Sequence, residues 1–542
     1  SLRMTFAKGL APIMHNVVIA RATRRAMRRF ITCCIAASLL LGLFGCSGGD
    51  RDEGASYDGP PKAGGALIVA VQDDGQTLDP HRATDAASMR LIENMYATLM
   101  RYTPQYGQVE PDMTQELKIS DDGLVYTITL RPNLTFHSGR PVTAEDVKFS
   151  IERIIEQQVR ADHFAMVERI EAVDPATVKL HLSRPSAPLL THLAYPMNAI
   201  VDRQTVQEAG GDLSNADAGC GPFALVEWRK NRHLKLKKHA GYHVEGRPYL
   251  DEVIFRPIPD ETARTTALRN GEVHLVLDLA AKDVKIVQNA RGVVIQSVPG
   301  TFWEYIGLNT SKAPFDDVRV RQAIAHAIDR EALNRIIKLS RATPLDGGHI
   351  PPNHWAYAAD LHPYAKRDLD RARQLLSEAG LGGGFSSVMK VGSSFKYQVD
   401  AAQMVKQQLA EVGIDVQIQA LESGLFFDAL NRRDFEMTLV GWLGFVDPDE
   451  WTYNLFHSDG KYNQQAFSNA ELDALLEQGR RTLDQEARRQ IYADIQWIIA
   501  TEAPVVSLYV NDQTSAWRSE VRGYVVHPTA TTLWLRETWL AK

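Results

Sequence analysis

Leu117 to Arg153 reads LKISDDGLVYTITLRPNLTFHSGRPVTAEDVKFSIER. Leu124, Tyr126, Ile128 and Leu130 alternate with Val125, Thr127, Thr129 and Arg131, the period-two pattern of a strand with one apolar face. The turn Asp121-Asp122-Gly123 pairs that strand with Leu117–Ser120 as a hairpin, Gly123 supplying a positive φ where a side chain would be strained. Beyond a second turn at Ser138-Gly139 and Pro141, Thr143 stands three residues before Asp146, a capping-box spacing with Asp in place of Glu. Two acids, Glu145 and Asp146, suit the positive end of a helix. Val147, Ile151, Ile154 and Ile155 then recur at helical spacing, so the helix buries one face. The stretch predicts a hairpin feeding a capped amphipathic helix, and names no chemistry.

Upstream, Ala66–Val71 reads as a strand opening the globular part and Ala86–Met100 as a helix. Downstream come strands at Thr177–Leu182, Ala224–Trp228, Leu234–Lys238 and Glu252–Pro257, and a helix at Glu261–Asn270 closed by Gly271, a glycine suited to a left-handed C-terminal cap. After Gly300, helices at Val318–Ile328, Asp370–Ala379 and Val399–Glu411 alternate with strands at Val416–Leu421, Glu436–Val440 and Val505–Tyr509. Such alternation predicts an α/β lobe with a partly parallel sheet.

The chain has 542 residues, 44% hydrophobic and 23% charged, with a formal net charge of −6. Residues 1–45 carry seven basic residues and no acids, which leaves 53 basic against 66 acidic residues, a balance of −13, in the remainder. An acidic body of this kind argues against nucleic acid as a partner, because phosphate neutralisation needs a basic surface.

Phe30–Gly45 is an uncharged apolar run of 16 residues behind Arg28-Arg29, too short for a comfortable membrane span and suited to an export signal. Met27 is a credible true start. The run ends in Leu43-Phe44-Gly45-Cys46, which resembles a lipobox whose cysteine is acylated; Phe44 departs from the small residue usual there, and plain signal cleavage is the alternative. Residues 46–65 are rich in Gly, Pro and acids and read as a tether. Of four cysteines only Cys220 falls in the body of the protein, so no internal disulfide is expected there.

Enzyme motifs are poor. Ser393-Ser394-Phe395-Lys396 fits S-x-x-K but lacks its companion elements. His239 and His243 are four apart without the intervening Glu of a zinc motif. Gly380, Gly382 and Gly384 follow a helix rather than precede one, unlike a phosphate loop. Neither catalysis nor a cofactor is expected.

Several ordered segments together are more telling. Leu117–Arg153 is similar throughout to the signature of family 5 extracellular solute-binding proteins, the peptide- and oligopeptide-binding components of ABC importers. Gly219-Cys220-Gly221-Pro222-Phe223, Tyr305–Thr310 with Ala313–Ala323, and Gly441-Trp442-Leu443-Gly444-Phe445-Val446-Asp447-Pro448 resemble further segments of that family, so the likeness runs over about residues 66–535. It implies an α/β two-lobed clamp of the large peptide-binding type, with two crossing strands as hinge. Lobe I would be 66–300 plus 502–542 with an inserted subdomain at about 98–220, and lobe II would be 301–501. The resemblance also implies a monomer outside the cytoplasm, lipid-anchored in the periplasm or on the outer face of the membrane, passing a short peptide to a permease. A sensing lipoprotein without transport, or a binder of an oligosaccharide or metal chelate, remains an alternative.

Candidate ligand contacts are Gly441, Trp442, Leu443, Phe445 and Asp447, at a strand's carboxyl end where open sheets present ligand contacts, together with Trp303 and Tyr305, whose rings could line the cleft or pack as core. In peptide binders of the family an Asp three residues after the Trp pairs with the ligand's α-amino group. Phe445 stands at that position here, and Asp447 matches the Asp of the later Asp-Pro pair. An ordinary free amino terminus is therefore in doubt as the feature recognised. The loop His354-Trp355-Ala356-Tyr357 could also reach the ligand, and Cys220 reads as a small buried residue.

Overall fold

The computed structural model describes residues 59–444 and 446–541. The export segment, Cys46 and Phe445 lie outside the described residues. Strands Thr114–Ile119 and Val125–Leu130 pair antiparallel and helix Ala144–Gln157 follows. Thr143 and Asp146 cap that helix reciprocally, and Arg140 Nη1 donates to Asp146 Oδ2 at 3.1 Å. Tyr126, Ile128 and Leu130 are buried on the strand's inner face with Val147, Ile151 and Ile154 of the helix. Thr177–Leu182 and Val167–Asp174 complete a separate antiparallel sheet of four strands.

Among the described residues the main sheet has eleven strands and is mixed. At one side Ile414–Leu421 and Met437–Leu443 flank Phe385–Gly392 in parallel. At the other, Ala66–Val71 lies parallel to both Glu252–Pro257 and Leu275–Val276. Two long strands join these halves: Val293–Leu308, of 16 residues, and Val505–Arg518, of 14, paired antiparallel. The amino half of the first meets the carboxyl half of the second, where Leu275–Val276 attaches, and the opposite ends meet beside Met437–Leu443. The strand expected over Val505–Tyr509 continues to Arg518.

The helix expected over Ala86–Met100 ends at Ile92. The carbonyls of Asn94 and Met95 accept from the amides of Phe223 and Gly221 at 3.1 and 2.9 Å, so tertiary partners replace the helical ones. Gly219 and Gly221 permit this approach, because a Cβ at either would lie within 2.6 Å of the backbone of residues 95–96.

One hydrophobic core draws on residues 67–277 and 517–535, with Val446 added; two others draw on residues 303–510, with Tyr106 added. The long strands pass between them. Cys220 is buried in the first core, and burial pushes its thiol well above the ordinary range.

Candidate functional site

The two long strands lose register where they leave one half of the molecule for the other. Pro299 pairs with Asp512, the next paired residue is Trp303 with Val510, and so Gly300, Thr301 and Phe302 stand against Asn511 alone. Extra residues on one strand bend it and disrupt the local ladder. Gly300 is required here, because a Cβ would lie 2.4 Å from the Asn511 carbonyl oxygen.

A cavity of about 220 Å³ lies against this bend. Gly300, Thr301 and Phe302 form one wall with Asn511, Asp512 and Gln513. Ala86, Met89 and Arg90 face it from helix Ala86–Ile92, joined by Glu93 at the helix end. Tyr102 and Tyr195–Met197 add apolar surface, Pro528–Thr531 close one side, and Leu443 reaches in from the end of strand Met437–Leu443. An apolar enclosure with a few placed polar groups is the usual form of a small-molecule site.

The polar groups are organised around the helix. Asp85 accepts from the Ser88 amide and so fixes the helix start. Arg90 donates to both oxygens of Asp278 at 2.5 and 3.1 Å, and Gln513 Nε2 donates to the same carboxylate at 3.0 Å. Burial alone would raise Asp278, but the Arg90 charge and these hydrogen bonds hold it below the usual carboxylate range. Glu93 accepts from the Thr531 and Thr532 hydroxyls, each at 2.5 Å, and from the Thr532 amide. Its burial outweighs these donors and Arg90 and pushes it up to about 7. Asp512 is also raised by burial, which its contacts to Thr343 and Arg341 only partly offset.

The expected contact residues divide. Leu443, 42% exposed, lines the cavity. Gly441 supports it from behind: its Cα lies so close to Phe302 that a Cβ would be 2.3 Å from the ring carbon Cζ. Trp442 is half-buried and turned into its own side, where Nε1 donates to the Glu450 carbonyl at 2.8 Å and the ring lies 5.1 Å from Tyr462. Trp303 and Tyr305 do not line the cleft: they are 0% and 1% exposed and stack on each other at 4.1 Å in a core. Strand alternation points them away from the cavity and into the layer formed by Phe456 and Tyr492. Asp447 is likewise withdrawn, held by Arg488 at 2.8 and 3.1 Å. The loop at His354-Trp355 packs against Tyr106 and Gly107 instead of the cavity, with His354 5.2 Å from the Tyr106 ring.

Arg90, Glu93, Phe302, Asn511–Gln513 and Pro528–Thr531 were not singled out from the sequence. Arg90 and Asp278 are 188 positions apart, and no local pattern links them. A glycine at 300 just before the aromatic run was the one available signal of a close approach.

Two halves joined by a bent pair of strands, with a cavity at the bend, define a two-lobed clamp of the solute-binding class. The family described as "Bacterial extracellular solute-binding proteins, family 5 Middle" matches residues 108–464. The chain belongs to the family 5 bacterial extracellular solute-binding proteins. It is similar to the glutathione-binding protein GsiB of Salmonella typhi, 30% identical over 482 residues, which cover 86% of this chain and 93% of GsiB. Among solved structures it resembles DppA of Helicobacter pylori in complex with the peptide STSA, with a TM-score of 0.75 and 28% identity over 89% of this chain and 99% of that one. It also resembles AgaA of A. tumefaciens R10 in complex with agropinic acid, with a TM-score of 0.74 and 27% identity over 88% of this chain and 99% of that one. These relatives are binding proteins and not enzymes, as the absence of a catalytic constellation in the sequence led us to expect. Among the described residues, no helix is long and apolar enough to cross a membrane.

Proposed function

We propose that this protein captures a short peptide or peptide-like solute in the cavity at the strand bend and delivers it to the permease of an ABC importer. The observation that carries this reading is the convergence of both long strands, the end of helix Ala86–Ile92 and Leu443 on one enclosed space. A solute there touches both lobes and therefore favours the closed arrangement over the open one. The peptide bound by the Helicobacter relative and the glutathione named for GsiB support this class of ligand.

Lobe I comprises 66–300 plus 502–542, with a subdomain at about 98–220, and lobe II comprises 301–501; the division of the cores supports this. The protein acts as a monomer outside the cytoplasm, held to a membrane by a lipid on Cys46. Contacts come from Leu443 directly, and from Gly441 and Trp442 through the strand end they build. A non-peptide solute is the second reading, favoured by the agropinic acid in AgaA. Native mass spectrometry of the purified protein tests both: a co-purified peptide supports the first, an opine-like or sugar-like mass the second, and a protein that neither carries nor takes up any such solute sinks them together.

A further inference from the structure

The charges around the cavity do not cancel. Among the described residues Arg90 is the one cation on its wall, and it is committed to Asp278 through two hydrogen bonds. Glu93 and Asp512 are both on the wall. Glu93 is met by hydroxyl and amide donors of Thr531 and Thr532, with Arg90 beside it and Tyr102, Tyr195 and Tyr524 facing it from other elements. Asp512 is met by the Thr343 hydroxyl at 3.4 Å, with Arg341 and Ser297 as its other neighbours. A third group on the same wall is unfinished: Thr301 is 2% exposed and, among the described residues, its hydroxyl has no hydrogen-bond partner. A buried hydroxyl without a partner costs free energy that a ligand group can restore.

We propose that the cavity selects solutes bearing a cationic side chain, an ammonium or guanidinium beyond the terminal amine that every free peptide carries, received by Glu93, Asp512 and the Thr301 hydroxyl. This rests on the reading of the chain as a receptor for peptide-like solutes. Charges in a partly dehydrated space interact far more strongly than in water, so an acidic solute is excluded by the same groups. A cation beside Glu93 stabilises its ionised form, so uptake expels the proton that the buried carboxyl otherwise keeps. Affinity for a cationic solute therefore rises between pH 6 and pH 8.

The test is calorimetric titration of the purified full chain with Ala-Lys-Ala, Ala-Ala-Ala, Ala-Glu-Ala and reduced glutathione at both pH values. We expect Ala-Lys-Ala to bind at least about tenfold more tightly than Ala-Glu-Ala and glutathione, with a margin that shrinks in Asp512→Asn and Glu93→Gln. Should Glu93→Gln fail to fold, Asp512→Asn and Thr301→Val carry the decision. Equal or tighter binding of Ala-Glu-Ala or glutathione overturns the charge selection while leaving the receptor reading intact. A margin unchanged in every folded variant also overturns it. Binding of none of the four sinks both.

Discussion

Asp447 and Arg488 form a two-pronged ion pair, at 2.8 and 3.1 Å, with side-chain exposures of 3% and 6%. The pair ties the segment after strand Met437–Leu443 to helix Gln485–Glu502. Arg488 is further enclosed by the rings of Trp355 and Tyr492, at 5.4 and 5.3 Å, and its Nε donates to the Gly479 carbonyl. Removing one member leaves a buried charge without its partner, a loss of about 3–5 kcal/mol in comparable pairs. Asp447→Asn is expected to lower the thermal midpoint clearly while the folded fraction keeps its solute affinity. Calorimetry and titration on the same sample separate these effects, and lost affinity at unchanged stability would return Asp447 to the site.

The hairpin, the capped helix and the parallel strands were legible in the sequence because their signals are local: alternation at Tyr126 to Leu130, a cap at Thr143, a glycine at 271 with φ of 76°. A strand end beside the cavity was legible too, through Gly441 to Leu443. Side-chain direction was not. Trp303 and Tyr305 are aromatic residues beside the bend, but a three-against-one irregularity at Gly300–Phe302 decides which ring faces the cavity, and it depends on a partner strand some 200 residues away. Glu93 was hidden by the helix expected to run through it, which ends where the amides of Gly221 and Phe223 claim the carbonyls.

Gly441 is expected to govern the cavity through Phe302. A methyl at 441 would meet the Phe302 ring at 2.3 to 3.0 Å, far inside van der Waals contact, and the ring must swing toward the cavity it lines. Gly441→Ala is expected to reduce solute affinity by roughly tenfold, or about 1.4 kcal/mol, with a smaller proportionate change in thermal midpoint. Titration calorimetry gives the first and scanning calorimetry the second. Unchanged affinity would mean that the Phe302 ring is not part of the binding surface.

Glu93 is expected to make stability depend on pH in a defined direction. Its ordinary value of 4.5 rises to about 7 in the folded protein. A raised carboxyl favours folding when protonated, so its contribution is complete below about pH 4.5, declines above that, and is lost once the pH has passed about 7. Glu93→Gln holds the group neutral and removes the dependence. Between pH 5 and pH 8 the variant is expected to gain on the parent protein, by a difference on the order of 2 kcal/mol, given 1.36 kcal/mol per unit. Parallel melting curves without added solute are the measurement. A gap that stays constant across the range, or moves the other way, would show that Glu93 is already ionised at pH 5.

Phe302 and Trp442 offer a direct comparison between a residue on the wall and one behind it. Phe302 lines the cavity and is paired in register with Leu443, whereas Trp442 donates to Glu450 and packs on Tyr462. Truncating an aromatic anchor that is buried on binding costs about 2 kcal/mol or more of affinity, and truncating a supporting ring costs chiefly packing. Phe302→Ala is therefore expected to weaken solute binding by about thirtyfold at modest cost in stability. Trp442→Ala should show the reverse balance: a lower thermal midpoint, through the lost ring contacts and the lost Nε1 hydrogen bond to the Glu450 carbonyl, with affinity reduced only severalfold. Titrating both variants with the solute recovered from the native protein distinguishes the two roles. If Trp442→Ala abolishes binding and Phe302→Ala does not, the solute engages the strand end itself and the bend plays a lesser part.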